Sequence, residues 1–149
     1  MPSFALAPIT LEQTRALRRS VLRPHETLAE LASHESPDGF ALGAFAGGEL
    51  VAVGFVAPDG EPGGWRIRGM ATAPSARGQG VGTAILSGLL GHALAHGATR
   101  IWCNARTPAR SLYERAGMRA VSEEFELPVI GPHFVMELRP APEPPRAGA

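Results

Sequence analysis

The run Ala73-Pro-Ser-Ala-Arg77-Gly78-Gln79-Gly80-Val81-Gly82-Thr83-Ala-Ile-Leu86 decides how this chain is read. Three glycines at alternate positions lead directly into an apolar, helix-like segment, and an arginine stands in front of them. A helix N-terminus exposes unpaired N–H groups and the positive end of the macrodipole. Glycines let the backbone approach a ligand without a Cβ in the way. Together they make an anion pocket of backbone amides. Arg77 adds a full charge and a fork of donors suited to phosphate. Two familiar phosphate loops do not fit. The dinucleotide pattern G-x-G-x-x-G needs a two-residue gap before its last glycine, and here both gaps are single. The P-loop needs a lysine, and the chain has none.

The charge distribution points to the same region. The 149 residues carry 14 basic and 14 acidic side chains, and every basic one is arginine. Between Pro62 and Tyr113 there is no Asp or Glu, while Arg66, Arg68, Arg77, Arg100, Arg106 and Arg110 all fall there. A cationic segment inside a neutral protein reads as a local anion site, not a polyanion-binding surface. The stretch is not flanked by several aromatics expected at the surface, and the chain is not strongly basic overall, so no nucleic acid is expected as a partner. The opening MPSFALAPIT has neither a basic n-region nor a long apolar run, so no signal peptide is expected. No run of about 18 apolar residues occurs, so no membrane span is expected. The lone Cys103 excludes an internal disulfide and suits a reducing, cytoplasmic setting. No Cys/His set has metal-ligand spacing, and no metal is expected.

The element pattern is legible on both sides of the loop. Ser3 to Pro8 reads as a strand. Thr10 then caps a helix with Gln13 as its capping-box partner, and Pro24 ends it. His25 to Ala32 reads as a second short helix. Phe40 to Ala46 and Glu49 to Ala57 are strands joined by Gly47-Gly48, a hairpin signal. Trp65 to Ala73 is a further strand. Val81 to His96 is the clearest helix, with Val81, Ile85, Leu86, Leu89, Leu90, Ala93 and Leu94 on one face. Thr99 to Asn104 is a strand, and Thr107-Pro108 opens another helix with threonine as cap. Met118 to Leu127 and His133 to Leu138 are the last two strands. The fold class expected is α/β of the α+β kind. It has one mixed, mostly antiparallel sheet of six to seven strands, helices on both faces and a single parallel pair across the unit Trp65 to Asn104. Residues 1–139 form one domain, and the proline-rich residues 140–149 read as a disordered tail.

Arg77-Gly-Gln-Gly-Val-Gly82 resembles the R/Q-x-x-G-x-G/A acyl-CoA loop of the GNAT superfamily of N-acetyltransferases. The later run Asn104-Ala-Arg-Thr-Pro-Ala-Arg-Ser-Leu-Tyr113-Glu-Arg-Ala-Gly117-Met118 is similar to the family's asparagine-to-"LYe..GF" segment, with two extra residues after the asparagine. The resemblance spans about Phe4 to Leu138. It implies a splayed pair of parallel strands, here Trp65–Ala73 and Thr99–Asn104, that opens to take acetyl-CoA as cosubstrate. It implies that backbone groups of Met70, Ala71 and Thr72 pair with the pantetheine arm. It implies that the amides of Arg77, Gly78, Gln79, Gly80, Val81 and Gly82, with Thr83, take the pyrophosphate. Asn104 and Arg106 share the position of the family's one asparagine, so either reaches the cofactor. Tyr113 is the implied general acid for the leaving thiolate.

The chain departs from the family's pattern in one respect. Many relatives carry a glutamate early in the strand before the loop, where it relays the amine's proton, and Trp65-Arg66-Ile67-Arg68 has no acid. The base is left open among Glu61, Glu124, Glu126 and His133, with bulk water as a further source. Histidine as a residue type suits base work near neutral pH. Trp65, Phe125 and Phe134 are candidates to line an acceptor pocket, and Glu124 and Glu126 to attract a cation. Cys103 reads as core, because direct transfer needs no acyl-enzyme. The activity implied is acetyl transfer to a primary amine of a small molecule or peptide. The alternative is a non-catalytic acyl-CoA-binding sensor or interaction module, which the missing glutamate favours and the retained Tyr113 disfavours. Whether the chain forms a homodimer is left open.

Overall fold

The computed structural model describes residues 3–141, so the expected tail lies almost wholly outside the described residues. The strands are β1 (Ala5–Ile9), β2 (Phe40–Ala46), β3 (Glu49–Pro58), β4 (Gly64–Thr72), β5 (Arg100–Arg106), β6 (Arg119–Ala120), β7 (Phe125–Leu127) and β8 (Gly131–Leu138). The helices are α1 (Leu11–Leu17), α2 (Leu28–Ala32), α3 (Val81–Ala95) and α4 (Arg110–Arg115). One sheet runs β1-β2-β3-β4-β5-β8-β6, with β7 also paired to β8. Every pairing is antiparallel except β4 with β5. The sheet has eight strands, not six or seven. The expected strand Met118 to Leu127 is interrupted at residues 121–124, so β6 meets β8 at Glu137 and Met136, and β7 meets it at His133 to Gly131. Ser122 fills part of the break, where its hydroxyl accepts from the Val135 amide at 2.9 Å.

The local signals act as expected at α1. Thr10 Oγ1 accepts from the Gln13 amide at 3.1 Å, and Gln13 Oε1 accepts from the Thr10 amide at 2.8 Å. Thr27 and Glu30 close a second capping box, so α2 starts at Leu28 and not at His25. The hydroxyl of Thr107 does not cap a helix. It donates to Glu124 at 2.8 Å across to the β6–β7 connection, and a single 3-10 turn, Thr107–Ala109, leads into α4.

α3 and the α1–α2 segment cover opposite faces. Ile85, Leu86 and Leu89 are fully buried against the sheet, each worth about 1.5–3 kcal/mol of burial. A Cβ on Gly54 would meet Ile85 and Leu89 at 3.0 Å, whereas the ring of its neighbour Phe55 lies under the Arg18 guanidinium, 5.0 Å away, on the other side. α1 runs on into a wide π-turn, Arg18–Leu22, which lies against β4. Arg18 is nearly buried and is held there by Glu35 at 2.6 Å, the Leu31 carbonyl at 2.9 Å and the Thr14 hydroxyl at 3.2 Å.

This anchoring has a pH signature. Burial alone would raise the Glu35 carboxyl, but hydrogen bonds from Arg15 and Arg18 outweigh it and hold the carboxyl below its usual range. A depressed carboxylate stabilises the fold above its unfolded pKa and loses that contribution as pH falls through the folded value. We expect the melting temperature to fall as pH drops below the usual carboxylate range. Glu35→Gln lowers the neutral-pH melting temperature and flattens part of that acid limb. A limb of unchanged steepness would remove Glu35 from the account.

Candidate active site

The parallel pairing of β4 with β5 covers only Gly64 to Arg66 against Arg100 to Trp102. Beyond it the two strands part. The cause lies in β4, where Gly69 and Met70 together oppose the single Gly54 of β3, a bulge that bends the strand. Gly69 takes φ +68°, and a Cβ there would meet Phe55 at 2.8 Å and Arg18 at 3.0 Å, so the bulge requires glycine. From Arg68 to Thr72 one edge of β4 pairs with β3 while the edge toward β5 meets no strand. That edge offers free N–H and C=O groups to an extended ligand.

At the wide end of this opening sits the glycine loop. Gly80 caps α3 with φ +79°, and Gly78 has φ +77°. The Ala84 amide bonds back to the Gly80 carbonyl at 3.1 Å and the Arg77 amide to the Pro74 carbonyl at 3.4 Å, so the amides between them, Gly78 to Thr83, are available to an anion. Arg77 is exposed at the mouth, and Gln79 is tied down by a bond from its side chain to the Ser75 carbonyl at 3.3 Å. Val81 is buried, which plants the first turn in the core. A side chain at Gly82 would meet Thr72 and Leu112 at ordinary contact distances of 3.6 and 3.7 Å.

At the narrow end is a cavity of about 470 Å³, within the range of ligand sites. Its wall includes Met70, Asn104, Arg106, Tyr113 and His133 of the residues singled out from the sequence, together with Cys103. The π-turn supplies Arg18 and Leu22, Arg23 follows as its C-cap, β4 supplies Arg66 and Arg68, and the end of β7 and the β7–β8 connection close one side with Leu127, Pro128 and Ile130. No aspartate or glutamate lines it.

Tyr113 is 6 % exposed, and burial raises its phenol well above the usual value, so it carries its proton throughout the physiological range. Burial pushes the Cys103 thiol up to about 12, with Arg66 opposing the shift. Cys103 is therefore a neutral wall group and not a nucleophile. We expect it to resist iodoacetamide in the native protein and to react once the chain is unfolded in denaturant. Rapid native labelling would contradict its placement. His133 is 3 % exposed and in register with Arg106 on β5 and Phe125 on β7. Its Nδ1 lies 2.7 Å from the Gly131 carbonyl. A carbonyl only accepts, so Nδ1 is the donor, and in the neutral ring the lone pair lies on Nε2.

The remaining candidates lie elsewhere. Glu124 is exposed and accepts from Thr107, Glu126 is exposed on β7, and Glu61 is exposed in the β3–β4 loop; none lines the cavity. Trp65 does not line it either. The indole is buried on the α3 face, edge-on to His92 at 5.8 Å. Phe125 stacks on His133, and Phe134 lies under the Arg110 guanidinium at 4.4 Å. Sequence reading missed Arg18, Arg23 and His34 as cavity residues. Their signal was only a cluster of arginines along an amphipathic helix, whose direction depends on the π-turn. Among the described residues no group of His, Cys, Asp and Glu is placed to hold a metal, and no helix is long and apolar enough to cross a membrane.

A strand pair that splays at a bulge, with an amide cradle at the next helix start, is the architecture of an acyl-CoA-dependent N-acyltransferase. The GNAT acetyltransferase family model matches residues 8–118, and the chain belongs to that family. It is similar to the uncharacterized N-acetyltransferase YitI of Bacillus subtilis (strain 168), with 31% identity over 135 residues covering 86% of this chain and 91% of that protein. Among solved structures it superimposes on an aminoglycoside 6'-N-acetyltransferase complexed with coenzyme A, at TM-score 0.77 and 16% identity, covering 95% and 99% of the two chains. It also superimposes on an IAA acetyltransferase from Bacillus cereus ATCC 14579, at TM-score 0.74 and 19% identity, covering 92% and 99%. At these identities the superpositions establish the fold.

Proposed function

We propose that the protein moves the acetyl group of acetyl-CoA directly to a primary amine of a small molecule or peptide. The observation that carries this reading is the parting of β4 from β5, with exposed amides at the start of α3 and a cavity walled by Tyr113 and His133. The amides of Gly78 to Thr83 and the side chain of Arg77 hold the pyrophosphate. The free edge of β4 at Met70, Ala71 and Thr72 pairs with the pantetheine arm, and Asn104 and Arg106 bound the thioester end from β5.

The amine attacks the thioester carbonyl, and a backbone N–H near Met70 to Thr72 takes the developing oxyanion. His133 Nε2 accepts the amine's proton. The bond from carbonyl carbon to sulfur then breaks, and Tyr113 gives its proton to the departing thiolate. A phenol with a raised pKa is a weak acid, but a thiolate formed beside Cys103 meets the same desolvation that pushes that thiol up to about 12. The desolvation that weakens the acid thus also strengthens the base it serves. The cationic wall also disfavours an ammonium beside it, which lowers the demand on the base when the strand has no glutamate.

The test is thiol release from acetyl-CoA across a panel of amines, with the acetylated product identified by mass. Amine-dependent release supports the transferase reading. Acetyl-CoA binding with no release for any amine would favour the sensor alternative. Arg77→Ala gives a second check. Its loss of a charge-assisted contact, about 1.5–3 kcal/mol, should weaken CoA more than a pantetheine thioester lacking the nucleotide. Equal losses for both ligands would show that Arg77 does not meet phosphate.

A further inference from the structure

The cavity wall carries more positive charge than the carboxylates behind it neutralise. Arg18 is paired with Glu35 at 2.6 Å, and Arg23 with Glu26. Arg66, Arg68 and Arg106 face the same cavity, and among the described residues no carboxylate lies within ion-pair distance of any of them; Asp59, in a smaller neighbouring pocket, attracts Arg66 and Arg68 from further off. Arg66 stacks on Trp102 at 4.3 Å, and its buried Nε has no hydrogen-bond partner. Arg68 reaches only the His34 carbonyl at 3.4 Å. Arg106 donates to the Leu22 carbonyl at 2.6 Å. A half-buried cation with an unused donor is costly unless a ligand completes it.

These charges do not belong to the cradle for the pyrophosphate. Alternation places Arg66 and Arg68 on the face of β4 covered by the π-turn, opposite Trp65 and Ile67. Along the strand Arg66 stands ~20 Å from Thr72, where the chain turns toward the glycine loop. That separation is about five times an ion-pair contact of about 4 Å. An anion served by Arg66 and Arg68 is therefore a different anion from the one at Arg77 to Gly82.

We propose that the acceptor amine carries an oxyanion, a carboxylate or phosphate, bound by the guanidinium forks of Arg66 and Arg68 with Arg106 beside them. This rests on the transferase reading and names its substrate class. It reverses the sequence-based expectation that Glu124 and Glu126 attract a cation, since neither lines the cavity. Planar forks match carboxylate and phosphate oxygens two at a time. The partial burial of Arg66, which with Arg68 brings its guanidinium down to about 10, leaves it charged at neutral pH but poorly solvated.

The experiment has a turnover arm and a binding arm. The turnover arm compares kcat/KM for matched pairs: glutamate with glutamine, aspartate with asparagine, phosphoethanolamine with ethanolamine, and spermidine as the cationic control. The more anionic member should be favoured by about tenfold or more in at least one pair, and the pair says whether carboxylate or phosphate is read. Arg66→Gln and Arg68→Gln should each cut that preference by about tenfold while the KM for acetyl-CoA holds. The binding arm titrates glutarate and inorganic phosphate into the parent and into the Arg66→Gln/Arg68→Gln double variant by calorimetry. Binding to the parent that is lost in the variant supports the inference whether or not any amine turns over. Turnover confined to spermidine or the neutral twins overturns it and leaves the transferase reading standing. Absence of both glutarate and phosphate binding, or a loss of CoA affinity matching the loss of anion affinity, also overturns it.

Discussion

Gly80→Val is expected to reduce acetyl-CoA affinity below detection while the protein remains folded. Two effects add. Gly80 has φ +79°, a region that a β-branched residue enters only at a cost of about 1–3 kcal/mol, so the turn must shift. The shift displaces the amides of the first turn of α3, which we propose as the pyrophosphate donors. The fold survives because Gly80 itself is exposed, with open space where its Cβ would lie, while the core residues that hold α3 begin at Val81 and continue through Ile85, Leu86 and Leu89. Gly82→Val makes a useful comparison. It introduces no left-handed strain and only ordinary contacts with Thr72 and Leu112. Any affinity that it removes therefore reports the space kept for the ligand. Calorimetric titration of acetyl-CoA with a parallel thermal melt decides the matter. Parent-like binding by Gly80→Val would mean that the loop holds no phosphate.

The second large effect is at Tyr113. Tyr113→Phe keeps the ring in its packed site on α4 and removes one proton. If that proton goes to the thiolate, kcat falls by about 10²–10⁴-fold, and less where water enters to replace the phenol. Acetyl-CoA binding should barely change, because the lost interaction exists only in the transition state. A rise in KM with kcat intact would make Tyr113 a binding residue. No change in either would make it a packing residue.

The elements on either side of the glycine loop were open to sequence reading because their determinants are local. The capping box at Thr10 and Gln13, the Gly47-Gly48 turn and the apolar face of Val81 to Ala93 each act within a few residues. The place where β4 and β5 part was implied by family resemblance, but its cause was not legible. Gly69 gives no hint that it and Met70 will share one partner on β3, since a bulge is a property of two strands. The acceptor side was the least legible part. Arg66 and Arg68 stood out as charge without acid, but their cavity is completed by Arg18 and Arg23, delivered by a π-turn far away in sequence. Glu124 illustrates the reverse case. Its position on a presumed continuous strand suggested a site residue, and the break before β7 turned it toward Thr107 instead. Thr107, in turn, carried a sound capping signal that a tertiary hydrogen bond overrode.

The central claim is that one opening joins acyl-CoA and amine for direct transfer. Intact-protein mass spectrometry during single turnover, with thiol and acetylated amine quantified in the same samples, tests it most directly. The account predicts equimolar thiol and acetylated amine, appearing together, with no change in the protein's mass at any time. An acetyl increment on the protein that forms before product and decays with it would contradict the account, most pointedly if it mapped to Cys103.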